Sequence, residues 1–319
     1  LGILGKYQTI APAILPSNQN PLGALPSRFR RQRLLIVGCG DIGLRVAQRL
    51  QGRVQLTVLS STGNRSEALH ALGARVVRGD LDQPHSLRRI AGLSDRVLHL
   101  APPPADGWID TRTRALVRAL RLRPVPQALV YASTSGVYGD CQGAVVSETR
   151  LPRPDTQRAL RRFDAETAIR FLGRSAGMRA AILRVPGIYA EDRVGGTPRK
   201  RLLAGTVVLR AQDDVFTNHI HADDLARACI SALWRGRAQR VYNVNDDTRL
   251  KMGDYFDLAA DLYGLPRPPR IARDGAKTEL PLGLLSFMAE SRQMDNTRFK
   301  RELKLVLRYP TVRDGLQHT

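Results

Sequence analysis

The chain has 319 residues, 43% apolar and 25% charged, enough for one large α/β domain or two lobes around a sizeable core. Its formal charge is +21, and only six of the 50 basic residues are lysine. No apolar run approaches the ~20 residues of a membrane span, and Cys39, Cys141 and Cys229 lie far apart without a CxxC pair, which excludes a disulfide framework or cysteine zinc site and fits a reducing cytoplasm. The arginines are dispersed through stretches such as RTRALVRALRLR, with no dense stripe and no interleaved aromatics. They read as solvated helix faces, and nucleic-acid binding is not expected as the main function.

Residues 1–32 are rich in proline and polar residues and show no period. The apolar piece at 10–15 is short and broken by Pro12, so it does not make a signal peptide. The segment reads as a mobile tail or an over-extended start, outside the fold. From residue 33 a regular alternation begins. RLLIVG reads as a buried strand, DIGLRVAQRLQ as a helix, VQLTVLS as a strand, NRSEALHALG as a helix and ARVVRGD as a strand. PHSLRRIAGL, DRVLHLAP, DTRTRALVRALR and QALVYASTS continue the series. Strands alternating with helices predict an α/β fold: a Rossmann-type, doubly wound parallel sheet over 33–189 whose strand C-termini share one edge, where ligands bind. After 190 the alternation loosens, and 190–319 reads as a small C-terminal substrate lobe that includes the returning strands and helices of the sheet.

LLIVGCGDIG places Gly38, Gly40 and Gly43 in a GxGxxG directly after the first strand and at the start of a helix. The first glycine permits the tight turn, the second lets a pyrophosphate approach the backbone, and the third allows close helix–strand packing. Asp41 and Ile42 complete this dinucleotide-binding turn. The second strand ends in LSSTGNR. Where an NAD enzyme usually carries an acid, Ser60 and Ser61 stand with Arg65 after them. Hydroxyls and a guanidinium accept a 2′-phosphate that a carboxylate would repel, so NADP is favoured and NAD is the second choice. HIHADD pairs two histidines with two carboxylates. A strand end followed by a helix capped by Asp223 or Asp224 is favoured over a metal site, and no metal is expected.

These residues resemble the short-chain dehydrogenase/reductase superfamily, in its extended and atypical, NAD-dependent epimerase/dehydratase-like branch, from 33 to about 315. The resemblance rests on the glycine loop, GDLDQPHSL, LHLAPP, YASTSGVYGD, LRVPGIY, NHIHADDLARA and VYNVNDD. It implies adenine contacts at Asp80 and Leu81, a ribose-side segment at Leu100, Ala101 and Pro102, a catalytic hydroxyl at Thr134, and a nicotinamide-packing segment at Pro186. Asp110 fills the place of the family's helix asparagine. The main departure lies in DTQRALRRFDAE. Aligned on Glu166, the family's catalytic lysine is Arg162 and its tyrosine is Arg158. Arg162 can still donate to ribose or phosphate oxygens. Arg158 stays protonated at any working pH, so it cannot exchange a proton but can bind a substrate anion. Tyr138 is a candidate donor, with packing at the strand end as the alternative.

The expected function is thus an atypical NAD(P)-dependent oxidoreductase or epimerase/dehydratase-like enzyme on a small polar, possibly anionic molecule. The rival reading is a non-catalytic NADP-binding redox sensor or scaffold. Relatives pair through the helices matching 110–121 and 155–172; here both are arginine-rich, which predicts a monomer or a differently built dimer. The helix at 155–172 is expected to be capped by Asp155, with Leu160, Phe163 and Phe171 facing inward.

Overall fold

The computed structural model describes residues 31–279, 285 and 288–317. The tail expected at 1–32 lies outside these residues except at its end, where Gln32 Oε1 accepts from Arg96 Nε and Trp234 Nε1 and so already belongs to the fold. Most of the apolar stretch 280–287 also lies outside them.

Seven parallel strands form the central sheet: β1 (Arg33–Val37), β2 (Gln55–Ser60), β3 (Arg75–Arg78), β4 (Arg96–His99), β5 (Ala128–Thr134), β6 (Arg179–Val185) and β7 (Arg240–Asn243), in the order β7-β6-β5-β4-β1-β2-β3. This is the doubly wound arrangement, and the crevice where chain direction across the sheet reverses lies between β1 and β4. The strands read as near-continuous apolar runs because both faces are covered. Leu34 and Ile36 face one core cluster, and Leu35 and Val37 the other.

The first helices are α1 (Asp41–Leu50), α2 (Ser66–Ala71), α3 (Thr111–Leu120) and α4 (Gln157–Ser175). The helix expected from PHSLRRIAGL is a 3-10 turn, Pro84–Ile90. At α4 the cap is Thr156, whose hydroxyl accepts from Ala159 N, not Asp155. Phe163 and Phe171 are exposed, against expectation. The buried stripe of α4 is Ala159, Ala165, Ile169 and Leu172, so α4 presents to β5 the face next to the one that large side chains suggest.

Beyond β6 follow α5 (Arg199–Leu203), α6 (Ala222–Arg235), α7 (Met252–Tyr263), α8 (Arg273–Glu279), α9 (Thr297–Leu303) and α10 (Val312–Gln317). A third apolar cluster, built on Tyr189, Val208, Phe256 and Leu316, forms the core of this part. A parallel pair, Gly187–Tyr189 with His219–His221, joins it to the sheet edge. His221, not an aspartate, caps α6, accepting from Asp223 N at 3.2 Å. Asp224 is fully buried and instead holds the backbone nitrogens of Arg308 and Tyr309.

Candidate active site

The glycine loop sits at the C-terminal end of β1. Gly38 has φ +86°, and a Cβ there would collide with the backbone of Ala101. This close approach is why only glycine fits. Leu100 N and Ala101 N both donate to Val37 O, so the segments after β1 and β4 are stitched edge to edge. Around Gly40 a Cβ would meet nothing within 4 Å. Gly40 is also the N-cap of α1 and gives it no side-chain cap. Open space before an uncapped helix N-terminus suits a diphosphate, so the chain's own residues fit a dinucleotide. Gly43 lies against Gly38 O and Cys39 Sγ, the tight packing expected of the third glycine. Asp41 begins α1, and its charge is balanced by Arg45 (3.1 Å) and Arg193 (3.2 Å). Arg45 also binds Asp192 and Asp223, at 2.6 and 2.7 Å.

At the end of β2, Ser60 Oγ accepts from Gly63 N, and the exposed Arg65 donates to Cys39 O at 3.2 Å. The guanidinium is thereby brought back onto the glycine loop, beside Ser60 and Ser61. Asp80 Oδ1 accepts from Asp82 N, forming the turn that presents Leu81. Arg112 pairs with Asp82 at 2.6 Å and donates to the carbonyls of Pro102 and Pro103, fixing the loop after β4. Asp110 caps α3 through Thr113, and Thr113 in turn bonds the buried His99. Burial, with Arg162 adding to it, pushes His99 down to about 3.

A cavity of about 530 Å³ opens beyond the end of β5. Thr134 and Gly136 form one side, and Arg158 and Ala159 of α4 a second. Pro186, the segment 193–197, Asn218, His219, Tyr255, Glu290 and Arg292 complete it. Thr134 Oγ1 accepts from Gly136 N at 3.3 Å. Of the four residues expected to do chemistry, two reach this space. Arg162 does not line it: its Nη1 donates to Tyr131 Oη and Ala132 O. Nor does Tyr138, whose ring is 1% exposed and whose hydroxyl donates to Asn243 Oδ1 at 2.7 Å. The geometry supports the packing alternative for Tyr138. Below the floor, Glu166 binds Ser133 Oγ and, through both oxygens, Arg184. This buried pair locks β5, β6 and α4 together.

The sequence model of the "NAD dependent epimerase/dehydratase family" matches residues 34–245. The chain belongs to that family. It is 24% identical over 290 residues to Protein YeeZ of Escherichia coli K12, covering 88% of this chain and 97% of that protein. It is 27% identical over 209 residues to the GDP-6-deoxy-D-mannose reductase of Pseudomonas aeruginosa, covering 58% of this chain and 69% of that one. Among solved structures, a functionally unknown conserved protein from Silicibacter pomeroyi DSS superposes with a TM-score of 0.74 at 28% identity, covering 90% and 97% of the two chains.

Within this epimerase/dehydratase scaffold, sequence reasoning missed Arg201, His219, Tyr255, Glu290 and Arg292. Arg201 stacks over the Phe256 ring at 4.7 Å, and no carboxylate forms a salt bridge with it among the described residues. His219 stacks on Tyr255 with ring centroids 4.2 Å apart; burial pushes it down to about 4, with Arg201 reinforcing the shift. Burial also pushes the Tyr255 hydroxyl far up. None of these residues carries a local sequence signal. Only HIH, with alternate residues on one strand face, pointed at its neighbourhood.

Proposed function

We propose that the protein is an NAD(P)-dependent oxidoreductase or epimerase/dehydratase-like enzyme that acts on a small polar, anionic substrate. The observation that carries this reading is the open cavity at the end of β5, whose lining brings Arg158 and Arg201 together with Thr134. A guanidinium in a partly dry wall binds carboxylate or phosphate oxygens with charge-assisted hydrogen bonds. A cavity that accepts a substrate also favours an enzyme over a sensor or scaffold. The relative named as a GDP-6-deoxy-D-mannose reductase makes nucleotide sugars the first substrates to try.

The backbone at Gly38, Gly40, Asp41, Ile42 and Gly43 would hold the pyrophosphate. Asp80 and Leu81 would bracket adenine, Leu100, Ala101 and Pro102 the ribose side, and Pro186 the nicotinamide. Ser60, Ser61 and Arg65, with no acid among them, favour NADP over NAD. When bound, the dinucleotide supplies a hydride donor and acceptor. Thr134, which accepts from Gly136 N, keeps its own proton to donate to a substrate oxygen. Arg158 and Arg201 fix the anionic part of the substrate, and Arg162 braces β5. The protein works as a soluble monomer or an atypical dimer on this reading.

Titrating the protein with NADPH and NADH by fluorescence tests the first step. Sub-millimolar binding with NADPH tighter is expected; absence of binding by either sinks the proposal. With cofactor bound, nucleotide sugars and sugar acids are then screened for a change in absorbance of the reduced nicotinamide. Arg158→Gln and Arg201→Gln each raise KM for an active anionic substrate about tenfold or more.

A further inference from the structure

With Arg158 in the tyrosine's place, some other group has to take the substrate's proton. We propose that Glu290 is the proton-exchanging residue of this cavity, with Asp155 as its outlet to solvent. The inference rests on the reading that hydride transfer takes place here.

Glu290 shares the cavity lining with Thr134 and Arg158, although 156 positions separate it from Thr134 in the chain. Its backbone is lashed to the loop that follows β5. Cys141 N and Gly143 N both donate to Ser291 O at 3.0 Å, Ser291 N donates to Asp140 Oδ1 at 2.8 Å, and Arg292 Nη1 donates to Gly139 O at 2.6 Å. Arg292 Nη2 then holds Glu290 Oε2 at 2.6 Å. The carboxyl is thus aimed by the loop that continues the chain from Thr134, which is the rigidity a proton-transfer group needs.

The other candidates in the lining are less suited. Tyr189 Oη donates to Thr311 O at 3.2 Å. Tyr255 is buried with its proton held tightly. His219 is a weak base with Nδ1 buried and unpartnered. The arginines do not exchange protons at all. Around Glu290 the influences oppose one another: burial and the neighbouring Asp155 carboxyl favour the acid, Arg292 and Arg158 the carboxylate. The net effect is upward from the ordinary glutamate value, burial being the largest influence. Asp155 is exposed and can pass the proton to water.

In the oxidative direction the substrate C–H bond breaks and its hydride passes to an oxidised nicotinamide dinucleotide. The O–H bond breaks, its electron pair completes the C=O bond, and the proton forms an O–H bond on Glu290. Reduction reverses each change.

The test is a pH titration of the full chain carrying ¹³C-carboxyl glutamate, with the Glu290 resonance assigned by its loss in Glu290→Gln. It is run free, with NADP⁺ and with NADPH, and cofactor binding is measured on the same samples by fluorescence. An oxidised ring adds one positive charge next to the carboxyl. The Glu290 midpoint is therefore expected about half a pH unit or more lower with NADP⁺ than with NADPH. Binding with identical midpoints overturns the Glu290 assignment and leaves the dinucleotide reading intact. If neither NADP form binds, the same titration is run with NAD⁺ and NADH, and failure of these to bind as well overturns both.

Discussion

The two ends of the cleft are made of different material. At the glycine-loop end, residues 38–43 offer backbone alone: a left-handed glycine, open space, an uncapped helix. At the substrate end, side chains converge from positions as far apart as Thr134 and Arg292. A backbone device has to be compact in sequence, because its geometry comes from consecutive dihedrals. A side-chain device has no such constraint, and it can change its chemistry without disturbing the scaffold. On the reading proposed above, the position of the catalytic tyrosine could become Arg158 in this way, above an unaltered sheet.

Four measurements test this contrast. The largest effect is expected under the cavity floor. Glu166→Gln leaves Arg184 charged and buried, which costs about 3–5 kcal/mol; chemical denaturation reads this directly, and a loss under about 1 kcal/mol would mean the floor is not locked as described. Next, Gly38→Ala forces a Cβ into Ala101 at a positive φ. A stability loss of about 2–3 kcal/mol and dinucleotide binding weakened at least about tenfold are expected, by thermal melts and cofactor titration. Unchanged binding would show that this end does not depend on backbone geometry.

The third concerns Asp246, where the lobe meets the sheet. Burial pushes its carboxyl up to about 8, whereas an unfolded aspartate titrates near 4. Between those values the native state holds a proton that the unfolded chain has lost, so stability falls as pH rises from about 4 to 8. Asp246→Asn is expected to flatten that slope, an effect of about 1–3 kcal/mol across pH 5 to 8, seen as melting temperatures that no longer decline. The smallest effect is expected at Arg65, a side chain beside the backbone end. Arg65→Ala should weaken NADPH about five- to tenfold and leave NADH unchanged; equal losses for both would remove the 2′-phosphate role.

The strand–helix alternation and the glycine loop are legible in the sequence because period, length and glycine spacing are local. The family assignment rests on the same ordered motifs. The face of α4 was misread because size was taken for burial. Phe163 and Phe171 lie outward while small residues, Ala159 and Ala165, pack on β5, since a helix lying close to a sheet needs small side chains at the contact. The cap of that helix slipped by one residue for want of any local distinction between Asp155 and Thr156. Glu290 and Arg201 could not be found by pattern at all: they reach the cavity only through lobe packing and the loop bonds around Ser291.

Arg45 has one further consequence. The wall segment holding Asp192 and Arg193 is tied to α1 by ion pairs, while Val194 between those ties and the lobe is fully exposed. The Asp192 end of its pair with Arg45 is exposed, and pairs open to water contribute only about 0–1 kcal/mol each and weaken with salt. Concentrated salt is therefore expected to loosen this segment from α1, while the glycine turn itself keeps its shape.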